Sequence, residues 1–129
     1  MADLLLVEDS AVFASTLERF LRIQKDLSVA AVAASAEEAC ALLQGITVDL
    51  VLVDVSLPGS SGIDLVGALH KEKPGLKCLM LSGHRGADYV QRALAAGAAG
   101  YALKSDPLGI LTAIQSVLAG DNYISPGLE

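Results

Sequence analysis

Aromatic residues make up only 4% of this chain and tryptophan is absent, so a core must be assembled from Ala, Val, Leu and Ile rather than from rings. Positive charge is also scarce: nine Lys and Arg face 15 Asp and Glu, for a net charge of −6. That balance argues against this segment gripping nucleic acid itself, because phosphate binding needs Lys and Arg in excess. The two cysteines, Cys40 and Cys78, lie in apolar periodic segments without CxxC spacing or neighbouring His. Both read as small core residues in a reducing compartment rather than as a disulfide or metal ligands. No apolar run approaches a membrane span, and the amino terminus lacks a basic region followed by a signal-peptide core. A soluble cytoplasmic protein with no membrane contact is the expectation.

What is present is apolar and regularly ordered. A chain of 129 residues, 53% hydrophobic, is one ordinary domain with a real core and excludes disorder. Strand patterns at Asp3 to Val7, Ser28 to Ala33, Asp49 to Val53, Lys77 to Leu81 and Gly100 to Leu103 alternate with helical ones. Phe13, Leu17, Phe20 and Leu21 step i, i+4, i+7 and i+8, one face of a helix. Ser35 with Glu38 forms a capping box, Ser61 with Asp64 its acidic variant, and Asp106 with Pro107 a cap followed by the ring at the first helical position. Gly45, Gly97 and Gly120 suit helix ends. The strands are continuous apolar runs, as a parallel sheet covered on both faces requires. The expected fold is therefore α/β and flavodoxin-like: a doubly wound five-stranded parallel sheet of order 2-1-3-4-5 with helices on both faces.

Most of these strands stop at a chemically capable residue. The first ends in Glu8 and Asp9, the third in Asp54, the fourth in Ser82 and the fifth in Lys104. In a parallel sheet all carboxyl ends point one way, and ligands bind there, at the crevice where strand order reverses. Order 2-1-3-4-5 puts Glu8, Asp9 and Asp54 together at that crevice. At about 4 Å and an effective dielectric near 20, each close like-charged pair costs on the order of 4 kcal/mol, more than one Lys offsets. A hard divalent cation with oxygen ligands and retained waters would balance them, which describes a Mg2+ site, and the Ser56 carbonyl is a further candidate ligand. Asp beside Mg2+, an ammonium and a hydroxyl is equipped for phosphoryl transfer, with Asp54 as nucleophile. The loop "VSLPGSSG" that follows carries Gly59 and Gly62, which keep side-chain bulk away from it.

With Glu8 and Asp9, Asp54 in "LVDVSLPGSSG", Ser82 in "MLSGH", and Tyr101 and Lys104 in "GYALKS", the sequence resembles the receiver domain of bacterial two-component response regulators over essentially its whole length. The resemblance implies that Asp54 accepts a phosphoryl group from a sensor histidine kinase. Mg2+ would be held by Asp9, Asp54 and the Ser56 carbonyl, with Glu8 acting mainly through water. Ser82 and Lys104 would take phosphoryl oxygens, and Tyr101 would be the aromatic that reorients. The tail "DPLGILTAIQSVLAGDNYISPGL" looks like the subfamily in which a receiver precedes a LuxR-type helix-turn-helix domain. Residues 1–122 are expected to form the receiver and 123–129 to begin a linker or an appended tail, with DNA contacted only by an output domain missing here. Many receivers place Pro after the Lys; Ser105 stands there, so a trans Lys104–Ser105 peptide is expected.

A phosphoryl group adds about −1.5 to −2 of charge and three acceptor oxygens. Hydrogen bonds to charged groups are worth about 1.5 to 3 kcal/mol each, so a few made only in the active state reach the roughly 5.5 kcal/mol that inverts a two-state equilibrium. Ser82 moving inward would open space for Tyr101, and the reshaped surface would pair two copies in a phosphorylation-dependent homodimer. Simpler readings stand beside these. Asp9 or Ser10 can cap a helix, Tyr101 can be a half-buried edge aromatic, and His84 can be a solvated loop residue. Otherwise Ser56 and His84 would modulate water access to the phosphoryl group from opposite lips of the crevice. Rival functions are an aspartyl-phosphate phosphatase, disfavoured because Ser56 stands where a second Asp is usual, and a binding module that is never phosphorylated.

Overall fold

The β-branched and leucine-rich runs form a sheet with a two-residue alternation that decides which helices each strand meets. A computed structural model describes residues 1–83 and 85–128. The elements run β1 (Ala2–Val7), α1 (Ala11–Arg22), β2 (Leu27–Ala33), α2 (Ala36–Leu43), β3 (Leu50–Asp54), β4 (Ser56–Leu57), β5 (Ser60–Ser61), α3 (Gly62–Glu72), β6 (Lys77–Ser82), α4 (Ala87–Ala96), β7 (Gly100–Leu103), α5 (Pro107–Leu118) and β8 (Tyr123–Ile124). The main sheet has the order β2-β1-β3-β6-β7-β8, and all its pairings are parallel. Its first five strands reproduce the expected 2-1-3-4-5 order. The sheet nevertheless has six strands, not five. Tyr123 and Ile124 pair with Gly100 and Tyr101. Two residues are too few to show a strand period, so nothing in the sequence announced β8.

Alternate side chains of each strand enter opposite cores. Leu5, Val7, Val51, Val53, Met80, Tyr101 and Leu103 pack with α2, α3 and α4, whereas Leu4, Leu6, Leu50, Leu52, Leu79, Leu81 and Ala102 pack with α1 and α5. Every residue of β3 is buried, as expected of a central parallel strand. Cys78 belongs to the first core, and burial pushes its thiol up to about 12, leaving it a neutral apolar filler. Cys40 departs from expectation. It faces outward from α2 and is exposed, because the buried stripe of that short helix runs through Ala39 and Leu43.

The caps formed largely as the sequence suggested. Ser10, Ser35, Ser61 and Asp106 accept backbone N–H bonds at the starts of α1, α2, α3 and α5, and Pro107 occupies the first turn of α5. Gly97 ends α4 at φ 112°, a left-handed position that suits glycine. The stretch after Asp54 is a small antiparallel hairpin, β4 with β5, rather than a plain loop. Pro58 and Gly59, with φ 74°, supply its turn. No cis peptide occurs among the described residues, so Lys104–Ser105 is trans.

Candidate functional site

Strand alternation continues past the strand ends and sorts the polar residues by face. Glu8 follows Leu4 and Leu6, Asp54 follows Leu50 and Leu52, and Lys104 follows Ala102, all in the register of the α1 and α5 side. Lys104 Nζ consequently lies between the two acids, 3.0 Å from Asp54 Oδ2 and 2.6 Å from Glu8 Oε1. It donates a well-aligned hydrogen bond to Asp54. Buried Glu8 Oε1 is ion-paired with the same ammonium.

The remaining carboxylate oxygens are held by backbone. Ser56 N–H donates to Asp54 Oδ1 at 3.1 Å, and Ser10 N–H donates to Glu8 Oε2 at 3.0 Å. The chain reaches Ser56 and then folds back onto β3. Gly62 N–H donates to the Val55 carbonyl at 2.7 Å, and a Cβ at position 62 would fall 1.9 Å from the Asp54 carbonyl oxygen. Gly62 thus permits close backbone packing behind Asp54, a more specific role than keeping bulk from the site.

Burial sets the electrostatics. Glu8 and Asp54 are 2% and 4% exposed, so neither is solvated as a surface acid would be. Burial raises the Glu8 pKa above the usual carboxylate range; Lys104 and the Ser10 N–H oppose this, and Asp54 adds to it. For Lys104, burial works to lower the pKa, but Glu8 and Asp54 outweigh it and hold the ammonium above its ordinary value. Phe13 contributes from α1, its ring centroid 4.7 Å from Lys104 Nζ. Sequence reasoning used Phe13 only as part of a helix face. The available signal was its position, one turn into the helix that begins beside Glu8 and Asp9.

Glu8, Asp9 and Asp54 each present an oxygen, and these atoms lie within 4.8 Å of one another. An all-oxygen donor set of three carboxylates, with a single ammonium shared by two of them, fits a hard divalent cation. Asp9 and Ser56 are exposed and form the solvent side of this cluster.

Ser82 and Tyr101 belong to the other register. Ser82 follows Cys78 and Met80, on the side of the sheet that carries Tyr101. Both residues are 0% exposed, and the Tyr101 hydroxyl shares a side-chain hydrogen bond with Ser82. Burial raises the Tyr101 pKa, so the phenol stays neutral. Tyr101 is therefore not a half-buried edge aromatic: β8 covers the outer edge of β7 that was expected to be open. His84 lies outside the described residues.

Residues 4–115 match the family model of the response regulator receiver domain. The chain belongs to that family. Among curated relatives of this receiver, the transcriptional regulatory protein UhpA of Escherichia coli K12 is 33% identical over 129 residues, 99% of this chain and 64% of the relative. The transcriptional regulatory protein DegU of Brevibacillus brevis is 30% identical over 124 residues, 95% of this chain and 52% of the relative. The receiver thus spans between about half and two thirds of the length of these relatives. A crystal structure of a LuxR-family two-component response regulator from Aurantimonas superposes with a TM-score of 0.95 at 32% identity, covering 99% of this chain and 92% of that one. No helix among the described residues is long and apolar enough to cross a membrane.

Proposed function

We propose that Asp54 is the phosphoacceptor of this receiver and that phosphorylation regulates an attached transcriptional output. The observation that carries this reading is Lys104 Nζ held between Glu8 and Asp54, with Asp9 completing the acidic cluster. An Asp54 carboxylate oxygen attacks the phosphorus of a phosphohistidine on a sensor kinase. The new O–P bond forms as the N–P bond breaks, and the departing imidazole takes a proton from solvent. Ser56 N–H and Lys104 orient the Asp54 oxygens before attack, and Lys104 afterwards pairs with a phosphoryl oxygen. Ser82 turns from Tyr101 to a second phosphoryl oxygen. A Mg2+ ion would be held by Asp9, Asp54 and the Ser56 carbonyl, with Glu8 contributing through water, and would supply positive charge to offset that of the transferring oxygens.

The chain in this reading promotes only its own phosphorylation and dephosphorylation, in the cytoplasm. Its active form pairs as a homodimer and acts on DNA through an output domain that is not part of residues 1–129. Ser56, exposed beside Asp54, and His84, two positions after Ser82 in the sequence, set how water reaches the phosphoryl group. Intact mass after incubation with Mg2+ and acetyl phosphate tests the central step. A labile single-phosphate adduct, absent from Asp54→Ala, is expected. Continuous phosphate release without an adduct would point to a hydrolase, and neither adduct nor beryllofluoride binding to a module that is not phosphorylated.

A further inference from the structure

Among the described residues, the buried polar side chains are those of Glu8, Asp54, Ser82 and Ser125. The first three stand at the carboxyl edge of the sheet. Ser125 lies just beyond β8 and is 1% exposed, yet its hydroxyl oxygen also reaches that edge: it accepts the Leu103 N–H at 3.2 Å, one residue before Lys104.

The backbone shows why a side chain is needed at this point. Successive N–H groups of a strand point to opposite neighbours, so Lys104 donates to the Ser82 carbonyl at 2.9 Å on the β6 side of β7 and Leu103 faces the other way. On that outer side Tyr123 N–H donates to the Ala99 carbonyl at 3.2 Å and Ser125 N–H to the Tyr101 carbonyl at 3.0 Å. Continuing this parallel ladder would bring the Ser125 carbonyl to the Leu103 N–H. That carbonyl instead accepts the Leu128 N–H at 3.1 Å, closing a turn with Pro126 at its second position and Gly127, φ 90°, at its third. The chain leaves β7 there, and the Ser125 hydroxyl stands in for the carbonyl that has turned away.

We infer that Ser125 is a positioning residue for Lys104: by holding the last amide of β7 it fixes where the lysine leaves the sheet, and so where its ammonium stands beside Asp54. The inference rests on the phosphoacceptor reading above. Lys104 Nζ lies 3.0 Å from Asp54 Oδ2 and 2.6 Å from Glu8 Oε1, at the end of a flexible four-carbon stem. A misplacement of about 1 Å near the reacting atoms can cost on the order of 100-fold in rate. Without the hydroxyl, the Leu103 amide must shift to find another acceptor, and Lys104 shifts with it. β6 then holds this end of β7 from one side alone.

The test is a double-mutant cycle of Ser125→Ala with Lys104→Ala in the full chain, phosphorylated by acetyl phosphate with Mg2+ and followed by intact mass. Thermal melting establishes that each variant is folded. Hydrogen exchange at the Leu103 amide is expected to rise tenfold or more in Ser125→Ala, which shows that the bond has gone. Ser125→Ala is expected to slow phosphorylation about five- to tenfold when Lys104 is present and less than twofold when it is Ala. Where the Lys104→Ala rate is too slow to follow, beryllofluoride affinity closes the cycle with the same expectation. Leu43→Ala, a core truncation at the end of α2, is expected to lower stability and keep the rate within twofold. If Ser125→Ala does not fold, Ser125→Cys, whose sulfur is a weaker acceptor, takes its place with an expected loss of about two- to threefold. An unchanged rate in the folded variant, or an equal loss with and without Lys104, would make Ser125 purely structural and overturn the inference alone. If the wild type forms no adduct and binds no beryllofluoride, the phosphoacceptor reading fails and the inference falls with it.

Discussion

The two edges of the sheet use the same kinds of residue to opposite ends. At the amino edge three charged groups close on single backbone partners: Asp49 accepts the Asp3 N–H at 2.7 Å, Lys77 donates to the Val117 carbonyl at 2.9 Å, and Lys73 donates to the Leu43 carbonyl at 3.1 Å. These bonds tie termini of helices and strands together. At the carboxyl edge Glu8 and Asp54 share one Lys, and Asp9 brings a third carboxylate to the same cluster. A polar group satisfied by its own neighbourhood is structural; a set that needs something from outside is a site.

The largest expected break in this comparison is at glycine. Gly62→Ala forces a Cβ against the Asp54 carbonyl and should destabilise the fold by about 3 kcal/mol, while Gly75→Ala, with nothing within 4 Å, should change stability by less than about 1 kcal/mol. Urea unfolding of the two variants measures both. Cation binding comes next. Mg2+ at about 100 times its dissociation constant should stabilise the chain by about 2.7 kcal/mol, an effect lost in Asp9→Asn but kept in Asp49→Ala, as read from thermal melts.

Carboxylate removal should have opposite signs at the two edges. Without divalent cation, Asp54→Asn relieves repulsion and is expected to stabilise by about 1 kcal/mol while abolishing phosphorylation, whereas Asp49→Ala costs about 0.5 to 1 kcal/mol through the lost Asp3 bond. The smallest effect concerns the ring under Lys104. Phe13→Leu should slow phosphorylation by acetyl phosphate about two- to fivefold, equivalent to about 0.5 to 1 kcal/mol of cation–π contact, and Lys77→Met should leave that rate unchanged. Stopped reactions followed by intact mass give both rates.

The asymmetry between edges also explains what was legible in the sequence. Glu8, Asp54 and Lys104 could be brought together on paper because a parallel sheet aligns all its carboxyl ends, and each residue immediately follows an apolar run. Helix caps were legible because they are local, within three residues of the bonds they make. What stayed hidden depends on contacts between distant segments. The burial of Tyr101 is set by β8, which carries no periodicity of its own; the need for glycine at 62 arises from the chain returning to Asp54; and the exposure of Cys40 follows from how α2 is rotated on the sheet. Phe13 is the intermediate case, visible as a helix-face residue but not as a neighbour of Lys104 some ninety residues later.

The scarcity of aromatic rings has a practical meaning once their positions are known. The chain has three tyrosines and no tryptophan. Tyr89 on α4 and Tyr101 on β7 belong to the core on one face of the sheet, and Tyr123 on β8, the strand paired with β7, packs against the core on the other. Ultraviolet emission from this molecule, undiluted by indole, therefore originates around the β7 end of the sheet, and an unlabelled sample in a fluorimeter already carries its own probe of whether that end has moved.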